Sequence, residues 1–340
     1  MGYREEKNII EDKKRKWKRI FACVFAALML AAVIFAVCIP PKEWRYRIKT
    51  PDLQKRADGE LRMHFLDVGQ GDCILIELPD GKIMLIDGGN GERDVTADIL
   101  RYINALKIDT IDYLVVTHAD NDHCGGLQEI IKQKEIVNAY LPPVYPEKAD
   151  GVYYSFFKEL CKRGYAWQYA SRTVHLNGTG EYPYVLSFLY PYLRTEEEMR
   201  RDEYPLDTNA LSSVVWLDYK GVSAAFMGDA TLDVEQKLIR DDGLQVLDSY
   251  GVELTSTEIV KVSHHGSSDA TSLQLLNYLQ AKTAIVSCGQ GNLYGHPHEE
   301  TLERLRLANV DVHRTDKVGT IIITVSPTGN YQTVHPFFEG

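Results

Sequence analysis

Thr117 to Gly126 reads THADNDHCGG, and the interpretation of the whole chain turns on it. The run before it, Asp112 to Val116, is short, apolar and β-branched, which predicts a buried strand delivering polar residues to the end of a sheet. Two imidazoles, two carboxylates and an amide follow at once: His118, Asp120, Asn121, Asp122 and His123. If the backbone stays extended, His118, Asp120 and Asp122 share one side, with His123 turning in where a helix starts. Gly125-Gly126 permits a tight turn before the helical pattern of Leu127 to Ile131. Mixed nitrogen and oxygen donors suit zinc, manganese or iron, whereas an all-oxygen set suits calcium or magnesium. The competing account is a polar strand-to-helix turn with an Asp N-cap.

Several other strand tips carry polar residues. Arg62 to Val68, Cys73 to Leu78 and Ile83 to Ile86 read as strands, the last two joined by a Pro79-Asp80-Gly81-Lys82 hairpin turn. Asp67 and Asp72 flank Gly69 and Gly71, and Asp87 precedes Gly88-Gly89. Both groups read as glycine turns with Asx hydrogen bonds that shape a site without ligating. A helix is expected over Asp94 to Leu106. Helical residues near Leu127 to Lys134 and a strand near Val137 to Leu141 come next, then an aromatic-rich stretch, Tyr153 to Tyr169, expected as a helix packing its apolar face. Val222 to Met227 is a strand ending in Gly228-Asp229, with a helix over Leu232 to Ile239 that Asp229 could cap. Ile259 to Val262 ends in His264-His265-Gly266; neighbouring residues of a regular strand face opposite ways, so one of the two imidazoles should reach a shared site. Thr283 to Cys288 opens into GQGNLYGHPH, which gathers Asn292, Tyr294, His296 and His298 before a helix over Glu299 to Leu307. His175 stands alone and reads as structural.

THADNDH is similar to the HxHxDH signature of the metallo-β-lactamase-like hydrolases, with Asp120 in place of the second His. Asp67-Val68-Gly69-Gln70-Gly71-Asp72 and Lys261-Val262-Ser263-His264-His265-Gly266-Ser267 resemble one branch, the hydrolase domain of ComEC-type DNA-uptake proteins and its stand-alone relatives, as does the Asn-x-Tyr-x-His-Pro pattern at Asn292. The resemblance implies an α/β fold, an αββα sandwich of two mixed sheets flanked by helices. It also implies two divalent metal ions, zinc or manganese. His118, Asp120 and a polar partner near Asn209 would hold one, Asp122, His123 and His265 the other, with Asp229 between them. Near Tyr204 to Asp218, where most of the superfamily has a His, this chain has Asp207, Thr208, Asn209 and Ser212 or Ser213. The catalytic residues implied are Asp122, His264 as a neighbouring acid or phosphate contact, and His296 as substrate contact or proton donor.

The amino terminus differs from everything after it. Residues 1–19 form a basic tail, KKRKWKR at its end, and residues 20–39 are twenty residues without a charge, followed by Pro40-Pro41. That length crosses a bilayer as a helix. It exceeds a signal-peptide h-region and no small-x-small site closes it, so the expectation is a single-pass anchor with the basic cluster cytoplasmic and the rest outside. Residues 40–60 read as a linker and 61–340 as the hydrolase domain.

Composition bounds the partners. Residues 1–19 hold eight basic and four acidic residues, leaving 30 basic against 44 acidic in the remainder, a formal −14. An acidic body of this kind does not steer polyanions nonspecifically, although bound metal offsets charge locally. Outside the apolar segment, Cys73, Cys124, Cys161 and Cys288 show no CxxC spacing, and buried free thiols are expected.

The function expected is therefore hydrolysis of a phosphodiester outside the cell, in DNA or a wall polymer, with DNA uptake and a membrane channel partner as possibilities. Two alternatives stand beside it: a tethered binding or assembly factor with a structural metal, and a phosphocholine-type wall-polymer esterase.

Overall fold

The computed structural model describes residues 3–38, 56–149, 151–202, 207–240 and 257–336. The chain divides into two compact units, residues 1–50 and 51–340. The first unit is helix α1, Tyr3–Cys38. Its described apolar side chains, among them Trp17, Phe21, Val24, Phe25 and Leu28, are exposed. No helix among the described residues is long and apolar enough to cross a membrane. The end of the expected anchor at Ile39 and most of the expected linker lie outside the described residues.

In the second unit β1 (Leu61–Phe65), β2 (Ile74–Glu77) and β3 (Ile83–Ile86) form an antiparallel meander, followed by α2 (Arg93–Ala105) and β4 (Thr110–Val115). After α3 (Asn121–Cys124) and α4 (Leu127–Gln133) come β5 (Glu135–Leu141), α5 (Gly151–Arg163), β6 (Ala166–Tyr169), β7 (Val185–Tyr190) and α6 (Glu196–Arg201). Next are β8 (Val214–Tyr219), β9 (Val222–Phe226), α7 (Leu232–Arg240), β10 (Ile259–Lys261), α8 (Leu273–Leu279) and β11 (Thr283–Val286). The chain closes with α9 (Glu299–Leu307), β12 (Asp311–Arg314), α10 (Thr315–Val318), β13 (Ile321–Val325) and β14 (Tyr331–Val334).

The strands make two mixed sheets, one ordered β14-β13-β1-β2-β3-β4-β5-β6 and the other β12-β11-β10-β9-β8-β7. Alternation decides which faces meet. Leu61, Met63 and Phe65 of β1 point into a core shared with Leu217, Phe226 and Phe188 of the second sheet. The second sheet's other face, with Trp216, Ala225 and Val260, packs on Val234 and Leu238 of α7 and Leu275, Leu276 and Leu279 of α8. Both faces of the second sheet are covered, which is why β9 and β10 are buried throughout. At roughly 25 cal/mol per Å² of apolar surface, a core of this extent dominates the favourable side of folding.

Parallel pairing positions the site. Strands β3, β4 and β5 run parallel, as do β9, β10, β11 and β12, so their carboxyl ends open on one edge of each sheet. Ile86 pairs with Val115, and Phe226 pairs with Lys261. Asp87 and Thr117 therefore leave the first sheet near one level, and Asp229 and His265 leave the second near another. Ligand sites of open α/β sheets form outside carboxyl strand ends of this kind.

Two expectations need correction. The aromatic stretch Tyr153 to Tyr169 is not one helix. α5 buries Tyr153, Phe156 and Leu160, then Gly164 at φ +71 ends it, and Ala166–Tyr169 becomes the edge strand β6. The histidine pair also breaks the strand rule. β10 stops at Lys261, and His264 (φ 48) and His265 (φ 53) are both left-handed, so their rings do not alternate. Cys73, Cys124 and Cys288 are buried as expected and, like exposed Cys161, form no disulfide.

Asp218 on β8 offers a check on the packing. Burial, with a further push from Glu258 and against a hydrogen bond from Gly221, raises its carboxyl to about 6. Because the folded value lies above the unfolded one (about 3.9), the associated stability is complete below about pH 4 and is lost as pH rises through 6. Asp218→Asn, which keeps an acceptor for Gly221, should therefore raise the melting temperature at pH 7.5 and leave it unchanged at pH 4. After discounting for partial exposure the gain is about 1–2 kcal/mol, read by thermal melts at the two pH values.

Candidate metal centre

The residues predicted as ligands lie in the loops and short helical turns that follow strand ends, and the structure brings them together. His118 Nε2 lies 3.9 Å from Asp120 Oδ2 and 3.8 Å from Asp229 Oδ2. His123 Nε2 lies 3.2 Å from Asp229 Oδ1. His265 Nε2 lies 3.2 Å from Asp122 Oδ2 and 3.5 Å from Asp229 Oδ2. Asp229 is thus the point at which the two sheets' tips meet. The stretch between Tyr204 and Asp218 contributes support: the Thr208 hydroxyl donates to Asp120 Oδ1, and Ser212 Oγ accepts from the Asp229 amide at 2.9 Å. Residues 203–206 of this stretch lie outside the described residues.

The proton positions follow from the partners behind the rings. His265 Nδ1 faces the carbonyl of Ser287 at 2.9 Å, which can only accept, so Nδ1 carries the hydrogen. His123 Nδ1 donates to Asp87 Oδ2 at 2.7 Å. Thr117 Oγ1 donates to the same oxygen at 2.6 Å and so accepts from His118 Nδ1 at 3.1 Å. All three rings are therefore tied through Nδ1, with Nε2 lone pairs turned inward; buried His118 Nε2 has no hydrogen-bond partner. That is the arrangement outer partners impose on metal-ligating histidines.

The inward atoms cannot satisfy one another. His123 Nε2 and His265 Nε2 are 3.2 Å apart, and two lone pairs at that distance repel unless a proton or cation lies between them. Asp72, Asp87, Asp120, Asp122 and Asp229 crowd the same region. Burial would lower the His123 pKa, but Asp229 and Asp87 outweigh it and hold it well above the ordinary imidazole range. His118 goes the other way, because burial and then the neighbouring His123 push it well below. Burial would raise Asp229, yet His265 and His123 keep it well below the carboxylate range. The donor set and this charge balance fit divalent metal ions. Asp72, His123, Asp229 and His265 are all buried with candidate donor atoms within 4.8 Å of one another, Asp72 approaching the two rings from their Nδ1 edges.

At the rim, His264 is partly exposed. Its Nδ1 is 3.2 Å from Asp269 Oδ1 and its Nε2 3.8 Å from Asp229 Oδ2. His296 lies 5.6 Å ring to ring from His264 and 6.3 Å from His265. Burial, followed by His265 and His264, pushes His296 down to about 4. Asn292 and His298 serve the loop itself. Asn292 Nδ2 donates to the carbonyls of Gly289 and His296, and His298 Nδ1 accepts from the Ser268 amide. His175, read as structural, contacts Ser187 Oγ at 3.0 Å.

The two glycine turns do more than sequence reading assigned to them. Asp67 does make its Asx contact, accepting from the Gly69 amide at 3.3 Å. Asp87 instead accepts from the Thr117 amide at 2.8 Å, Thr117 Oγ1 and His123. Asp72 forms a buried ion pair with Lys261. Gly71 sits so close to the metal loop that a Cβ there would meet the Asp122 carbonyl at 2.2 Å. The signal that could have found Asp87 is its position at the end of a strand parallel to the one that delivers Thr117.

This is the fold of the metallo-β-lactamase class. Residues 66–290 match the metallo-beta-lactamase superfamily, and the chain belongs to that superfamily. Among curated proteins it is similar to ComE operon protein 3 of Bacillus subtilis (strain 168), 27% identical over 284 residues that cover 78% of this chain and 33% of that one. It is also similar to Recombination protein 2 of Haemophilus influenzae, 29% identical over 259 residues, or 75% of this chain and 28% of that one. Competence protein ComA of Neisseria gonorrhoeae is 25% identical over 264 residues, 78% and 32% of the two chains. The chain thus spans about a third of the length of these relatives. Among solved structures, a diphosphatase from the PhnP family is 15% identical with a TM-score of 0.41, covering 74% of this chain and 94% of that one.

Proposed function

We propose that the chain is a metal-dependent phosphodiester hydrolase acting outside the cytoplasm. His118, Asp120, Asp122, His123, Asp229 and His265 hold two divalent cations, zinc or manganese. The observation that carries the reading is the set of three buried imidazoles tied outward through Nδ1, with Nε2 lone pairs converging on Asp229. Bound cations of this kind supply a water of near-neutral pKa and draw charge from the attacked group.

The chain's own residues do the rest. Asp122 stays ionised: burial would raise it, but the His265 contact and the charges of His123 and His265 outweigh that and lower it. His264, held at Nδ1 by Asp269, presents Nε2 at the rim, where it can hand a proton to the leaving oxygen. His296, pushed down to about 4 by burial and then by His265 and His264, is neutral at pH 7 and serves as a substrate contact at the rim.

A phosphodiester is favoured over a β-lactam by the DVGQGD and HHGS segments and by the competence and recombination relatives, with DNA or a wall polymer as the physiological substrate. Anchoring through residues 20–39, with the rest of the chain outside, rests on the sequence alone: a twenty-residue uncharged run after a basic tail. A membrane channel partner is proposed with it, as the resemblance to DNA-uptake proteins suggests.

Full-length protein loaded with Mn²⁺ or Zn²⁺ should release nitrophenolate from bis-p-nitrophenyl phosphate and stop when chelator is added. DNA and choline-phosphate esters assayed alongside would name the substrate class. Metal-loaded, folded protein that turns over no phosphodiester would overturn the reading. Protease accessibility of the second unit on intact cells tests its location.

A further inference from the structure

Lys261 is the last residue of β10, and its side chain is 0% exposed. A buried ammonium needs a counter-charge, and its partner is Asp72 Oδ2, in a residue itself 1% exposed. Neither residue has a part in the hydrolytic reading above.

Position separates Asp72 from the ligands. Its Oδ1 lies 3.7 Å from His265 Nδ1 and its Oδ2 3.9 Å from His123 Nδ1. These are the outward edges of the rings, already committed to Ser287 and Asp87. Asp122 and Asp229, by contrast, approach the Nε2 edges. Asp72 therefore lies behind the two imidazoles, at distances where it acts by charge alone. Its backbone is pinned on both sides: the Asp72 amide donates to the Asp122 carbonyl at 3.2 Å, and its carbonyl accepts from Gly89 at 2.8 Å. The ion pair thus joins the loop after β1 to the strand whose tip carries His265, and the backbone bond joins that loop to the one carrying Asp122 and His123.

We propose that the Lys261–Asp72 ion pair is a positioning clamp for the metal centre. It holds Asp72 behind His123 and His265 instead of among the ligands, and it fixes the separation of the two rings that come from different sheets. A negative charge behind both rings also favours the electron-rich Nε2 that a cation requires. Lys261 supplies the charge that keeps Asp72 from competing for the cations.

The proposal rests on the metal-binding half of the function proposed above and is tested by binding, without turnover. Full-length native protein, Asp72→Asn, Lys261→Met and the double variant would be titrated with Mn²⁺ and Zn²⁺ by calorimetry, with metal-free melting curves for each. A buried pair replaced by neutral groups of similar volume is commonly tolerated, so the double variant should keep the native metal-free melting temperature. It should bind metal roughly 10- to 100-fold more weakly at unchanged stoichiometry. Lys261→Met alone leaves a buried carboxylate without its cation and should melt lower than the double. Three results would each overturn the clamp: a double variant with native affinity, a double variant that melts far below native without metal, or loss of one bound equivalent in Asp72→Asn. Native protein that binds metal but hydrolyses no diester would instead remove the functional reading and leave the clamp standing.

Discussion

Asp229→Ala is expected to end productive metal binding and with it all diester turnover. Asp229 is 3% exposed and is the carboxylate that all three inward Nε2 atoms approach, at 3.2 to 3.8 Å. Its loss removes the negative charge between two sheets' worth of ligands, which no neighbour can replace: Asp122 leans on His265 and Asp120 on Thr208. The loss in turnover should exceed the roughly 10- to 100-fold typical of outer-shell changes. Thermal shift gives a second readout. A ligand that binds only the folded state at a thousand times its dissociation constant stabilises by about 4 kcal/mol, so the native melting temperature should climb with added Mn²⁺ or Zn²⁺ while that of Asp229→Ala stays flat. A variant that still climbs in parallel with native would show that Asp229 lies outside the metal centre.

Much of this was legible from local pattern. The apolar strands and the helix Glu299–Leu307 follow from hydrophobic periodicity, which is set by neighbours in sequence. THADNDH announces its candidate ligands because they are packed into one turn. What was not legible depends on partners far along the chain. Asp72 and Asp87 look like ordinary Asx turns, since Asp-Gly pairs read the same whether the carboxylate closes its own loop or reaches another strand. Only the β3–β4 register puts Asp87 against Thr117, thirty positions on, and only the meeting of loop and β10 puts Asp72 against Lys261. The His264-His265 pair failed for a different reason. Alternation assumes extended backbone, and the left-handed turn there aims both rings' Nε2 atoms at Asp229 Oδ2, at 3.8 and 3.5 Å.

Asp87→Asn tests the proton assignment that makes the site a ligand set. Thr117 N–H, Thr117 Oγ1 and His123 Nδ1 all point at this carboxylate, the first at Oδ1 and the other two at Oδ2. An amide in its place has one acceptor and one donor end. If its oxygen takes the Oδ2 position, its NH₂ faces the fixed backbone N–H of Thr117, a donor against a donor with no room to turn. If its oxygen takes the Oδ1 position, its NH₂ faces Thr117 Oγ1 and His123 Nδ1, both of which can adapt. The second arrangement costs less, and it requires His123 to accept at Nδ1 and so to carry its hydrogen on Nε2. The inward lone pair is then gone. Metal affinity should fall by roughly 10- to 100-fold, whereas stability falls by only about 1–3 kcal/mol, the cost of imperfectly satisfied buried groups. The change is visible in the ¹⁵N chemical shifts of metal-free protein, where native His123, held charged by Asp229 and Asp87, carries hydrogens on both ring nitrogens and the Asp87→Asn form should carry one on Nε2 alone. Native metal affinity in Asp87→Asn, with His123 still protonated at Nδ1, would mean that Asp87 only braces the strand ends and that the ring orientation is set elsewhere.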